Sequence, residues 1–183
     1  MPKVDDEHRE RRRAQIAQGA RRAFARWGYE GATVPRLEEE TGLSRGAIFS
    51  YYPSKLDLFV ALAEEGQRRL LTIWLEQGFE AVLRDAAVNP EWISLNLDVP
   101  RMLRDDPELR ERWQRFNPML QAELTEKLRA QQEAGEVRDD LDLPTIGNFH
   151  GAILDGLAVH VAAGFEVDVD GTLELLRSAI SPK

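Results

Sequence analysis

The sequence predicts an all-α protein: an N-terminal three-helix head carrying a helix-turn-helix, followed by a larger C-terminal helical bundle, with about nine helices in all. Three observations carry that expectation. Apolar residues recur every three or four positions along most of the chain, which is the spacing of one face of a helix. No strand-like alternation of useful length interrupts them. Glycine and proline then punctuate the periodic segments, at Gly28, Gly42, Pro53, Gly78, Pro90, Pro107, Gly135 and Pro144.

The elements follow in order. Ile16, Ala20, Ala23, Phe24 and Trp27 form the stripe of a first helix that begins near Glu7 and stops at Gly28. Thr33 is placed to cap a short second helix, with Pro35 tolerated in its first turn, Leu37 inward and Gly42 as its end. Ser44 caps an equally short third helix, whose Ile48 and Tyr52 fall four apart on one face. Pro53 and Ser54 start a long fourth helix with Leu56, Phe59, Val60, Leu62, Ala63, Leu70 and Leu71 on its buried side, closed by Gly78. The remaining breaks leave helices near 80–88, 91–105, 108–134, 145–163 and 168–180. The 183 residues suffice for two units, a head over residues 1–55 and a helical domain over 56–183.

Composition excludes several function classes. With no cysteine there is no disulfide framework, thiolate metal site or cysteine nucleophile. No run of 18 apolar residues exists and the N-terminus is polar, so no membrane partner is expected and the location expected is cytoplasmic. The chain has no glycine-rich phosphate loop, HExxH run or Gly-x-Ser-x-Gly elbow, so it is not expected to be an enzyme or to require a cofactor. His150 and His160 are ten apart, about 80° around a helix, and no metal site is expected.

The net charge of −8 runs against binding a polyanion, but it is unevenly placed. Residues 1–60 hold 11 Lys and Arg against 9 Asp and Glu, while residues 61–183 hold 13 against 23. A modestly basic head on an acidic body can still bind DNA, with fewer phosphate contacts and a shallower salt dependence.

Two short helices joined by a glycine turn and braced by a longer helix are the parts needed to set one helix into the major groove. Thr33 and Ser44, each at a helix N-terminus, offer a hydroxyl and backbone N–H groups to phosphates. Arg45 is the long donor that can fork onto guanine, and Gly46 and Ala47 permit close approach to base edges. Ser50 and Tyr51 lie one turn on, Lys55 can meet a phosphate, and Arg36 suits either task. Ile48 and Tyr52 read as core, whereas Phe49 divides evenly between core and DNA surface. Arg11, Arg12 and Arg13 fit either a DNA-binding arm or a solvated helix face paired with Glu7. The run Glu38-Glu39-Glu40 should point toward the first helix or solvent.

The stretch from Phe24 to Thr33, then Thr41 to Lys55 (TGLSRGAIFSYYPSK), then Leu58-Phe59, resembles the signature of the TetR family of bacterial transcription regulators. Two positions depart from it: Glu38 where a small Ala is usual, and Phe49 where a phosphate-contacting Tyr is usual. The resemblance implies a homodimeric repressor of double-stranded operator DNA, released by a small-molecule effector. A narrower similarity, to an actinobacterial aconitase-repressor branch, extends through Leu103 to Pro107 and Ile153 to Gly156 and implies citrate with a divalent cation as effector.

For the effector, Trp74, Trp92, Trp113, Asn96, Arg104, Asn117 and His150 are the candidate residues, among further groups on the middle helices that include Phe116, Arg101 and Asp155. Helix 145–163 carries Gly147, Gly151 and Gly156 with several alanines, each glycine costing about 1 kcal/mol against alanine. Close crossing compensates. It can occur within the chain or, paired with helix 168–180, in a two-fold interface through the last two helices, which would also set two heads about 34 Å apart. An alternative of a different class stays open: an all-helical small-molecule or protein-binding module that no longer reads DNA.

Overall fold

The computed structural model describes residues 2–182, with side chains from residue 6 onward except at 90, 96, 117 and 119. Among the described residues there are nine helices and no strand: α1 (Pro2–Gly31), α2 (Val34–Thr41), α3 (Arg45–Phe49), α4 (Lys55–Gln77), α5 (Phe79–Val88), α6 (Pro90–Asp105), α7 (Pro107–Glu133), α8 (Leu143–Ala162) and α9 (Val169–Ile180). The all-α expectation holds, with every break where glycine, proline or a capping side chain placed it. Gly28 takes φ +67° inside α1, so the last turn of that helix, Tyr29 to Gly31, is set off from the rest by a kink. Gly42 closes α2 in the left-handed region and its N–H returns to the Glu38 carbonyl at 2.9 Å.

Side-chain caps satisfy orphan N–H groups at the starts of α3, α4, α7, α8 and α9. Ser44 accepts from the Ala47 N–H, Ser54 from Asp57, Asp106 from Leu109 and Asp142 from Thr145. Hydrogen bonds from Ser54, and then from Arg112 on α7, hold the Asp57 carboxyl below the usual carboxylate range.

Two apolar clusters organise the chain. The first gathers Ile16, Ala20, Phe24, Leu37 and Ile48 around Leu58, Phe59 and Leu62 of α4, and extends to Leu95 and Val99 of α6 and Leu109 of α7. The second joins Leu70 and Trp74 of α4 to Val82 and Leu83 of α5, Ile146 and Leu157 of α8, and Leu173 and Leu176 of α9. Helix α4 belongs to both. The head therefore finishes its core on residues beyond 55.

Candidate nucleic-acid interface and effector cavity

Helix α1 braces the helix-turn-helix by capping the C-terminus of α2. Gln15 Nε2 donates to the Thr41 carbonyl at 2.9 Å, while Arg22 donates to the Glu40 carbonyl at 2.6 Å and to its carboxylate at 2.9 Å. The two helices approach so closely at Gly19 that an added Cβ would lie 2.6 Å from the Glu40 carbonyl oxygen. Ile48 is fully buried beneath this crossing, and Phe24 meets Phe59 edge-on at 5.2 Å. The result is a rigid frame with one free surface.

Thr33, Ser44, Arg45, Gly46 and Ser50 are exposed on that surface, with Ala47 and Phe49 half-buried beside them. The Thr33 hydroxyl makes no capping bond. The Arg45 guanidinium lies 6.0 Å from the Phe49 ring centroid, so Phe49 supplies an apolar platform beneath it where a Tyr hydroxyl would point outward. Three candidates are already engaged within the chain. Arg36 donates to the Gly31 carbonyl at 2.7 Å and stacks on Trp27; the Lys55 ammonium donates to the Tyr29 carbonyl at 2.8 Å; and Tyr51 packs its ring on the first core. Tyr52 is half-buried, and desolvation pushes its phenol pKa up, as suits a supporting residue.

The three glutamates part company. Glu40 faces α1 and Glu39 lies exposed, but Glu38 turns to the start of α3, where its carboxylate accepts the Arg45 N–H at 2.6 Å. That departs from the sequence expectation for a physical reason: Ser44 Oγ serves the Ala47 N–H, and the orphan N–H of Arg45 needs another acceptor. Arg11 pairs with Glu7 and Arg12 with Gln15, so these two lie on a solvated helix face.

Tyr29 is one of the residues that tie the head to the body. Tyr29 donates its N–H to Asp98 of α6 at 2.6 Å, and its carbonyl accepts Lys55 of α4. Burial, followed by nearby Glu30, Asp106 and Asp57, raises the Tyr29 phenol pKa. Arg21 of α1 also stacks on Trp92 of α6, its guanidinium 4.0 Å from the ring centroid.

A cavity of about 590 Å³ opens between α4, α7 and α8. Trp74 lines it, and His150 sits buried behind the wall, against Trp74 at 5.1 Å and Phe79 at 4.4 Å. Its Nδ1 pairs with the Ile146 carbonyl, and burial depresses its pKa. Most of the other effector candidates lie elsewhere. Trp92 packs between Gly66, Arg21 and Arg69; Trp113 meets Phe116 edge-on against the first core; and Arg104 is exposed beside Asp105. The side chains of Asn96 and Asn117 lie outside the described residues. Asp155, already singled out in the sequence, does line the cavity, which brings it together with Gln67, Gln121, Thr125, Asn148, Gly147 and Gly151. The signal for them was the four-residue spacing of Gln121 with Thr125 and of Gly147 with Gly151 and Asp155. No group of three or more His, Asp or Glu able to hold a metal occurs among the described residues.

A braced three-helix frame that leaves the flank of one short helix free defines a DNA-reading transcription regulator. The pattern of the bacterial regulatory proteins of the tetR family matches residues 16–62, and that of the BetI-type transcriptional repressor C-terminal domain matches residues 71–181. The chain belongs to the TetR family and is a helix-turn-helix transcriptional repressor. It is 38% identical to the HTH-type transcriptional repressor AcnR of Corynebacterium diphtheriae, over 98% of this chain and 97% of that one. It is 41% identical to the HTH-type transcriptional repressor Rv1474c of Mycobacterium tuberculosis, over 98% of each. Among solved structures, Salmonella enterica GusR superposes with a TM-score of 0.71 at 20% identity, covering 92% of this chain and 94% of that one. The Bacillus subtilis regulator FadR in complex with stearoyl-CoA superposes at 0.70, also at 20% identity, over 91% and 98%. These two likenesses concern the fold alone.

Proposed function

We propose that two copies of this chain, joined through α8 and α9, hold a pseudo-palindromic operator with their α3 helices and are released by a small organic effector in the α4–α7–α8 cavity. The observation that carries this reading is the double membership of α4. Its N-terminal half completes the core of the DNA-reading head and its C-terminal half lines the cavity, so a ligand and an operator act on the same rod. Arg45, standing free on the reading face, discriminates bases, while Thr33 and Ser44 engage phosphates and Ser50 and Ala47 flank the base edges. Phe49 supports Arg45, and Arg36, Tyr51 and Lys55 act as the frame's inner supports. For the two-fold face, α8 leaves Phe149, Gly156 and Val159 exposed at helical spacing, and α9 adds Leu175 at 74% exposure. No described helix is long and apolar enough to cross a membrane, and the place of action proposed for a DNA-bound regulator is the cytoplasm.

The test is selection of an operator from random DNA, followed by anisotropy titration across salt. Sequence preference with a slope near −0.9 per phosphate contacted is expected, together with a 10- to 100-fold loss for Arg45→Ala. Affinity indifferent to sequence and unchanged in Arg45→Ala would overturn the reading and favour a module that no longer reads DNA.

A further inference from the structure

We infer that the cavity takes an organic molecule with a largely apolar body that is uncharged or carries one positive charge, and that it rejects polyanions. This names the ligand class of the effector site proposed above and rests on that reading. A volume of about 590 Å³ lies within the range of small-molecule sites. Its walls are Leu70, Trp74, Leu124 and Leu128, and its polar groups are the amides of Gln67, Gln121 and Asn148 and the Thr125 hydroxyl. Among the described residues no lysine or arginine lines it. The cations nearest in sequence are engaged elsewhere: Arg69 on Asp85, Lys127 on the Leu75 carbonyl, Arg129 on Glu126 and Arg68 over Phe116.

A carboxylate brought among these leucines loses its hydration, and neutral amides do not replace the cation it needs. Among the described residues the one ionisable lining group is Asp155, itself negative and standing where the cavity meets solvent. Partial desolvation already raises its pKa, so a second anion adds repulsion while a cation relieves the site. A divalent metal finds one carboxylate here and, among the described residues, no cluster of three.

The width of the cavity comes from α8. A Cβ added at Gly151 would meet nothing within 4 Å, and one at Gly147 only the tip of Leu128 at 3.8 Å. No backbone of this chain crosses at either position, in contrast to Gly19. Each glycine weakens the helix, and what each leaves is open volume one turn apart on the cavity wall.

Two dyes with one ring system test this on the full-length protein: uncharged N-phenyl-1-naphthylamine, and 8-anilino-1-naphthalenesulfonate, which adds a sulfonate. The uncharged dye is expected to bind saturably and at least about tenfold more tightly. Gly151→Leu fills the cavity and abolishes its binding, while Asp155→Asn, on an exposed position, narrows the preference several-fold. Sodium citrate with magnesium chloride does not displace the dye. Failure of the uncharged dye to bind, equal or tighter binding of the sulfonate, displacement by citrate with magnesium, or unaltered dye binding in a folded Gly151→Leu protein would each overturn the inference. Should Gly151→Leu not fold, the dye pair on the wild type and Asp155→Asn still decide it. Release of labelled operator is read separately: a dye-bound protein that keeps its operator overturns the effector reading and leaves the ligand class standing.

Discussion

Gly19 in the head and Gly151 in the body are both mid-helix glycines, yet they do opposite things. At Gly19 the missing side chain lets the backbone of α1 lie against the end of α2, and nothing else fits. At Gly151 the missing side chain leaves space that no other part of the chain fills. The head is a frame whose parts must touch in one way, as the base reading proposed for Arg45 requires of the element that presents it. The body keeps a void beside a second core. Closely packed regions respond to strain as units, whereas a cavity leaves its walls room to adjust.

Substitutions that reverse this contrast measure it. Gly19→Ala should produce the largest change, a loss of about 3 kcal/mol in denaturant unfolding, because the new methyl strikes backbone that cannot yield. If that variant unfolds like the wild type, the crossing is looser than described. Asp98→Ala strips the acceptor from the Tyr29 N–H and should cost about 2 kcal/mol, with amide exchange at Tyr29 accelerating. Arg45→Ala should leave the unfolding curve in place and weaken specific operator binding by about 2 kcal/mol, which separates the reading surface from the frame. Gly151→Ala should move the other way from Gly19→Ala, gaining about 1 kcal/mol, since its methyl enters open space in a better helix former.

The smallest effect concerns His150. Its folded pKa is depressed by burial, so between that value and the ordinary one near 6.5 the unfolded chain binds a proton that the folded chain refuses. Stability from this source is present above about pH 6.5 and declines as pH falls below it. His150→Gln should therefore show a smaller drop in melting temperature between pH 7.5 and pH 5.5 than the wild type. Equal drops would mean that the ring is solvated when folded.

The fold was readable because its boundaries are local. Gly28, Gly42 and Gly78 adopt positive φ, and Ser44, Ser54, Asp106 and Asp142 each satisfy an N–H three residues ahead, so short-range chemistry ends and starts the helices. The reading face was partly readable for the same reason, since Ser44 caps and Ile48 is buried by spacing alone. Lys55 and Arg36 were not, because what occupies them is the Tyr29 carbonyl 26 residues away and a Trp27 ring placed by the kink at Gly28. Trp92 and Trp113 show the same limit in the body. Their helical spacing marks an apolar face but does not say which of two cores that face meets.

Tyr29 has its N–H held by α6 and its carbonyl held by α4, so one residue is gripped from two rods that continue into the body. In mechanical terms it is a pin joint placed close to the fulcrum of a lever. Helix α4 runs 23 residues, roughly 34 Å at 1.5 Å per residue, and a tilt of about 5° moves its far end by about 3 Å. The short arm near the pin moves far less, yet it carries α3 with it. In the dimer proposed above, a small change of angle at the joint would alter the spacing at which two heads meet successive turns of the groove.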